Sequence, residues 1–315
     1  MVAVWLIIVL AIVQGILEWL PVSSEGWLVL ILNWVGETEN ALAIALFLHL
    51  GTMIAVIIRF RKDFALLFKI QRRKMDSRIE DNKEEDESIN IEEKKEDFSQ
   101  IEKQKILWKF ILFATLATAV IGVPLYLLIK FALQDGELLE FAGGAITGGD
   151  IITMVIGLFL IGTGIFILIA RKKTTYKTIF EMKTWEMLIV GAIQGIAIIP
   201  GVSRSGSTIG TLLIEGIEEE EALRGSFLLS VPAVLGGNIL TLIVDLAQGD
   251  FSFEGIPWYG MILAFIVSCG IGYLTIDLFL RLARKINFGW FCIAVGSLAL
   301  VITLIVVILA ITTIV

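Results

Sequence analysis

Gln14-Gly15-Ile16-Leu17-Glu18-Trp19-Leu20-Pro21-Val22-Ser23-Ser24-Glu25-Gly26-Trp27 sets two carboxyls, two hydroxyls, an amide and a proline inside apolar sequence. Polar groups at membrane depth cost several kcal/mol each unless they are paired or line a cavity. A second stretch answers the first: Gln194-Gly195-Ile196-Ala197-Ile198-Ile199-Pro200-Gly201-Val202-Ser203-Arg204-Ser205-Gly206. A shift of 180 residues places Gln14, Gly15 and Ile16 on Gln194, Gly195 and Ile196, Ser23 on Ser203, and Gly26 on Gly206. The two stretches read as copies of one element, with Glu18 special to the first and Arg204 to the second.

The rest of the chain supplies a membrane around them. Of 315 residues 57% are hydrophobic and the mean hydropathy is +0.87, which excludes an ordinary soluble domain. The N-terminus is apolar from Val2 and lacks a basic leader region, so it reads as a retained membrane segment. Cys269 and Cys292 stand in apolar runs without ligand spacing and read as packing residues.

In chain order, residues 3–20 are apolar and residues 27–35 form a second, shorter run. At 1.5 Å per residue the shorter run reaches roughly 14 Å, under half of a ~30 Å hydrocarbon core. The pair is therefore expected to be re-entrant. Residues 41–59, 107–133 and 151–170 can each span, with a charged loop at 61–106. The second half repeats the order: 186–199 and 207–215 are short, while 223–246, 258–281 and 288–312 can span. The expected fold is all-α, one polytopic membrane domain over 1–315. It holds an inverted repeat of a re-entrant helix pair plus three transmembrane helices (repeat 1, 1–170; repeat 2, 184–315).

The 25 basic residues test that layout. All but Lys130 and Arg204 fall in or beside 59–109, the 171–183 loop with Arg224, and Arg281 to Lys285. These places share one side of the layout, which the positive-inside rule makes cytoplasmic. Both termini are then expected outside, with the 61–106 loop cytoplasmic. That loop begins basic and turns acidic, and reads as a solvated segment, partly helical or disordered. The net charge of -7 says little about partners, because the charge is concentrated there.

Chemistry is sought among the immersed polar residues. Gln14 and Glu18 are four apart and share a helix face, where a carboxylate can bind a hard cation with the amide carbonyl or act as a base. Around Pro200–Ser207, glycines let the backbone approach a ligand, hydroxyls add donors, and Arg204 adds a planar fork matched to phosphate. An arginine at the bilayer centre costs ~2.5–3.5 kcal/mol on insertion scales, so it is expected to have a partner or a ligand. His49, the only histidine, reads as a satisfied packing residue. Asp277 and Arg281, four apart, read as a surface-level pair, and Asn238 as a bond between helices.

With these motifs in view, the chain resembles the undecaprenyl pyrophosphate phosphatases of the bacitracin-resistance type. The resemblance covers most of the chain except 61–106. It is strongest at Glu18-Trp19-Leu20-Pro21-Val22-Ser23-Ser24, His49-Leu50-Gly51-Thr52, Pro200-Gly201-Val202-Ser203-Arg204-Ser205-Gly206 and Phe227-Leu228-Leu229-Ser230-Val231-Pro232-Ala233. It implies a membrane enzyme that removes the terminal phosphate of a C55 polyprenyl diphosphate on the outer side, with Mg²⁺ or Ca²⁺, in a fold of interlocked inverted repeats. Two positions depart from the family pattern. Gln14 stands where the family has a glutamate, and Trp27 where it has a histidine after the turn; Glu25 is a candidate replacement carboxylate.

The expected catalytic residues are Glu18, Ser24 and Arg204. Ser23, Gly201, Ser203, Arg204, Ser205 and Gly206 are expected to bind phosphate, and Gln14 with Glu18 to hold the divalent cation. The expected partners are a polyprenyl diphosphate lipid and the membrane, without nucleic acid; a homodimer is compatible. The alternative is a flippase or transporter for polyprenyl phosphate or another lipid anion, since a midplane anion site between inverted repeats also suits alternating access.

Overall fold

A computed structural model describes residues 4–20, 23–35, 41–67, 91–134, 148–171, 176–199, 201–248, 257–283 and 287–314. The α-helices among them are α1 Val4–Leu17, α2 Ser24–Trp34, α3 Ala41–Arg59, α4 Ile91–Gln134, α5 Gly148–Ala170, α6 Thr184–Ile196, α7 Arg204–Ile214, α8 Glu219–Gln248, α9 Trp258–Ala283 and α10 Phe288–Ile314, with a further helical segment, Arg61–Leu67, after α3. No strand occurs among the described residues; one parallel bridge joins Lys177 to Ile217. The protein is a polytopic all-α membrane protein.

Helix lengths separate two kinds of element. Five helices carry windows long and apolar enough to cross a membrane: Gln100–Lys130, Thr153–Ala170, Glu219–Gln248, Trp258–Leu282 and Phe288–Leu309. A sixth is reached when α3 is taken with the segment Arg61–Leu67, which bends from it by 79°. α1, α2, α6 and α7 hold 14, 11, 13 and 11 residues, and so reach only about 17–21 Å. α4 is longer than its apolar window: its 44 residues start at Ile91, well inside the 61–106 segment. Residues 36–40, 68–90 and 135–147, Pro21, Pro200 and the side chain of Glu25 lie outside the described set.

The short helices are seated on long ones. α1 lies along α9, and α6 along α4; α5 packs on α10, and α3 on α8 and α9. Small residues make these approaches possible, as they do where lipid supplies no hydrophobic drive between helices. A Cβ on Gly164 would lie 2.6 Å from the Gly289 carbonyl, and one on Gly296 would lie 2.6 Å from the Gly157 carbonyl. The glycine pairs 157–296 and 164–289 therefore set α5 and α10 antiparallel and nearly in backbone contact. A Cβ on Gly191 would strike the backbone of Ala114 on α4. α1 and α6 are each also held by a threonine hydroxyl: Thr275 Oγ1 donates to the Gly15 carbonyl at 2.7 Å, and Thr118 Oγ1 to the Gly191 carbonyl at 2.9 Å.

The core has two parts. Trp19, Phe110, Leu212, Phe227, Leu228 and their neighbours form the larger one, with Trp19 edge-on to Phe227 at 5.3 Å between ring centroids. Leu6, Leu10, Leu28, Leu32 and Leu48 form the second, between α1, α2 and α3. Apolar side chains on the outer faces, such as Val120, Leu274, Leu298 and Ile305, are exposed, as a lipid-facing surface requires.

Ion pairs cluster near the start of α8, while one, Lys130 Nζ to Asp245 at 2.6 Å, lies near its other end. Lys177 Nζ bonds both oxygens of Glu186 at 2.6 and 2.7 Å, Arg171 pairs with Glu219, and Arg224 pairs with Asp63 and, at 2.8 Å, with Glu221. Asp277 does not pair with Arg281 as the spacing suggests. Its carboxylate accepts from Arg59 Nε at 2.6 Å, because α3 and α9 lie side by side.

Candidate active site

Both broken helices stop at a turn, and each turn starts a new short helix in the same way. After α1 the Leu20 N–H bonds the Leu17 carbonyl at 3.0 Å, and the chain reaches Pro21, which has no N–H to continue the ladder. Ser23 then caps α2: its Oγ accepts from the Gly26 N–H at 3.2 Å. After α6 the chain passes Gly201 at φ +91, where a Cβ would also lie 2.6 Å from Ile156 Cα, so only glycine fits. Ser203 then caps α7 by accepting from the Gly206 N–H at 3.1 Å.

The two turns touch. Ser205 Oγ donates to the Leu20 carbonyl at 2.9 Å and lies 3.2 Å from Ser203 Oγ. Arg204, the first residue of α7, pairs through Nη2 with Glu18 Oε1 across 186 positions of sequence. Its Nη1 faces the Ser230 carbonyl at 3.4 Å. Glu18 is 6% exposed, and its second oxygen accepts from Gln14 Nε2 at 2.8 Å and from Ser24 Oγ at 2.9 Å. The immersed arginine thus has the acidic partner that its insertion cost requires.

A cavity of about 150 Å³ opens over this pair. Glu18, Ser23, Ser24, Ser203, Arg204 and Ser205 line its polar side, while Leu46, Ile198, Val202 and Val234 line an apolar side. Gln14, Gly201 and Gly206 are not among the lining residues, and the Gly206 N–H is already taken by the Ser203 cap. Trp27, half-buried on α2, does not line the cavity.

Sequence reasoning missed residues that the fold brings in from elsewhere. His49 on α3 is not a packing residue: its Nε2 lies 3.3 Å from Glu18 Oε2 and 3.4 Å from Ser24 Oγ, and it lines the cavity. Thr118, Gln194 and Asn238 line the far side. Gln194 Nε2 bonds Thr118 Oγ1 at 3.1 Å, and its Oε1 is buried without a partner. Asn238 Nδ2 bonds the Val234 carbonyl one turn back at 2.9 Å rather than bridging helices. Only the 180-residue register could have flagged Gln194, as the twin of Gln14.

The donor set bears on a cation. Among the described residues no three His, Cys, Asp or Glu side chains gather as a metal site. Both Glu18 oxygens are engaged, one by Arg204 and the other by Gln14 and Ser24. The open atom is Gln14 Oε1, buried and without a partner. Its amide orientation follows from the network, since only Nε2 can donate to the carboxylate.

Two comparisons place this arrangement. The family model described as Bacitracin resistance protein BacA matches residues 7–298. The chain belongs to the BacA family. It is 35% identical to an undecaprenyl-diphosphatase of Methanothrix thermoacetophila, over 94% of this chain and 95% of that one. It is 34% identical to an undecaprenyl-diphosphatase of Haloarcula marismortui and 33% to one of Methanococcoides burtonii, each over 93% of this chain and 95% of the relative. BacA membership covers the first turn, the arginine turn and α3 with His49 in a single match.

Proposed function

We infer that this chain is a membrane phosphatase that removes the terminal phosphate of a polyprenyl diphosphate of the undecaprenyl type and so regenerates the monophosphate carrier. One observation carries the reading. Residues from two broken helices, Glu18 and Ser24 on one side and Ser203 and Arg204 on the other, meet at a cavity with a polar floor and an apolar wall. That shape suits an anionic head on a prenyl chain, and the names of the BacA relatives point to the same substrate.

The residues then divide the work. Arg204 presents its free N–H groups, and Ser203 and Ser205 their hydroxyls, to the phosphate oxygens. Ser24 Oγ attacks the terminal phosphorus; the Oγ–P bond forms, the bridging P–O bond breaks, and the polyprenyl monophosphate leaves. Water then hydrolyses the phosphoserine. Glu18 holds Arg204 and Ser24 in place. A divalent cation, Mg²⁺ or Ca²⁺, would neutralise charge on the transferred group; Gln14 and Glu18 are the side chains that would help to hold it, Gln14 Oε1 being the donor atom without a partner.

We also propose that the protein sits in the cell membrane with both termini outside and the 61–106 segment cytoplasmic, its halves inverted relative to each other. The common Ser23 and Ser203 caps support that reading. Cysteines introduced as Asn90→Cys and Tyr176→Cys should then label only from the cytoplasm, and Ala142→Cys only from outside. Labelling of positions 90 and 142 from one side would sink the layout.

The test of function is phosphate release by the purified protein from C55 polyprenyl diphosphate, with Mg²⁺, Ca²⁺ or chelator. Release that depends on a divalent ion and disappears in Ser24→Ala is expected. Saturable lipid binding without release under every condition would instead make the chain a carrier.

A further inference from the structure

On α3, His49 Nδ1 lies 2.7 Å from the Ala45 carbonyl one turn back. A carbonyl only accepts, so Nδ1 carries a hydrogen, and in the tautomer that has only this one, Nε2 presents its lone pair. That lone pair faces Ser24 Oγ at 3.4 Å and Glu18 Oε2 at 3.3 Å. The Ser24 hydroxyl donates to Glu18 Oε2 at 2.9 Å and lies within reach of Nε2 as well. Ser24 O–H therefore has two acceptors, the carboxylate and the imidazole. The carboxylate is already engaged by Gln14 and Arg204, whereas Nε2 has no other donor. His49 is buried, 9% exposed.

We propose that His49 is the proton acceptor that activates Ser24, a role it fills from α3 and not from the serine turn itself. The proposal rests on the reading of Ser24 as nucleophile. As the Oγ–P bond forms, the Oγ proton passes to Nε2, and the bridging P–O bond breaks with its electron pair staying on the departing monophosphate. The imidazolium sits against Glu18 Oε2, which stabilises it. It returns the proton to the departing phosphate oxygen, and the neutral ring is then free to take a proton from the water that attacks the phosphoserine. The order of contacts, hydroxyl to Nε2 and Nδ1 to a fixed acceptor, is that of a nucleophile, a base and the group that orients the base.

The experiment uses the full-length protein in detergent with C55 polyprenyl diphosphate. His49→Gln keeps volume and hydrogen bonding but has no basic nitrogen; His49→Ala opens space for free imidazole. Both should lower kcat by about 10²–10⁴-fold with KM changed by less than about threefold. Imidazole in the assay should raise turnover of His49→Ala about tenfold or more and leave Ser24→Ala inactive. A His49→Gln protein with turnover within threefold of wild type would overturn the proposal. So would a His49→Ala protein that elutes and melts like wild type, has lost activity and gains nothing from imidazole. Failure of the underlying reading looks different: Ser24→Ala would keep its turnover, or the wild type would release no phosphate at all.

Discussion

At the turn after α1, Ser23 Oγ accepts from the Gly26 N–H at 3.2 Å; at the turn after α6, Ser203 Oγ accepts from the Gly206 N–H at 3.1 Å. The positions are 180 apart, and so are Gln14 and Gln194, each with an amide nitrogen bonded and a carbonyl oxygen buried alone. Around these shared residues the two turns part company. Ser24 stands where the second turn has Arg204, Glu18 where it has Ile198, Trp27 where it has Ser207, and Val35 where it has Glu215. The shared residues shape the backbone: cap, turn and seat on a long helix. The unshared ones carry the charges and the Ser24 hydroxyl. On the function proposed above, one turn supplies the group that attacks and the other the group that grips phosphate, so neither turn is a site alone.

The largest effect should come from separating the pair that joins the turns. Glu18→Gln or Arg204→Ala leaves a buried charge without its partner, a loss of about 3–5 kcal/mol in comparable buried pairs. Turnover should fall by about 10²–10³-fold or more for loss of the donor. In the double variant Glu18→Gln/Arg204→Ala the melting temperature should recover part of the loss while turnover stays gone. Recovery of turnover as well would mean that the pair only holds the turns together. Arg204→Lys keeps charge but not the fork, and should fold yet bind the lipid diphosphate more weakly.

The seats of the two broken helices differ in what they forgive. A Cβ on Gly191 meets the backbone of Ala114, which cannot swing away; a Cβ on Gly15 meets Ile271 Cγ2 at 2.8 Å and the Gly272 N at 2.9 Å, half of it side chain. Overpacking costs about 1–3 kcal/mol. Gly191→Ala should sit at or beyond the top of that range and Gly15→Ala nearer the bottom, read as thermal midpoints in detergent. The reverse order would mean that α1, not α6, is the more tightly seated helix. The caps should be closer to equal: Ser23→Ala and Ser203→Ala should each cost ~1 kcal/mol.

These elements also mark what a single chain can tell. The broken helices were legible because a polar run, with Pro21 or Pro200, interrupts apolar sequence too short to span. That Arg204 meets Glu18 is seen in the fold; that it needs a partner or a ligand was legible, because an immersed charge requires one. His49 was not, because nothing along α3 distinguishes a packing imidazole from one that faces Ser24, 25 residues earlier; only the packing of α3 on the turn decides it. The same holds for Asp277, whose i+4 neighbour Arg281 looked sufficient until α3 brought Arg59 closer. The start of α4 at Ile91 was hidden too, because its first turns are charged and carry no apolar periodicity.

The smallest expected effect concerns Glu215, at the end of α7 where the first turn's α2 ends on Val35. The carboxyl lies outside the spanning windows, beside the Lys177–Glu186 pair, and both its oxygens are buried without a hydrogen-bond partner. Burial, then repulsion from Glu186, push it up to about 8, against the attraction of Lys177. A carboxyl raised from 4.5 to about 8 by folding keeps its proton in the folded protein at pH values where the unfolded chain has lost it. Folding then takes up a proton between those limits, so this group's contribution falls as pH rises through that window and levels off above it. Glu215→Gln removes the titration without removing a hydrogen bond. The variant should match wild type below pH ~4.5 and gain on it steadily toward pH ~8. The gain should be of order 1 kcal/mol, well under the full value of the shift, because the carboxyl is partly solvated. Thermal midpoints of the two proteins across that range are the measurement. A difference that does not change with pH would place Glu215 in water like any surface carboxylate. A difference growing toward low pH would mean that the charged form is the one the folded protein prefers, with Lys177 shared between Glu186 and Glu215.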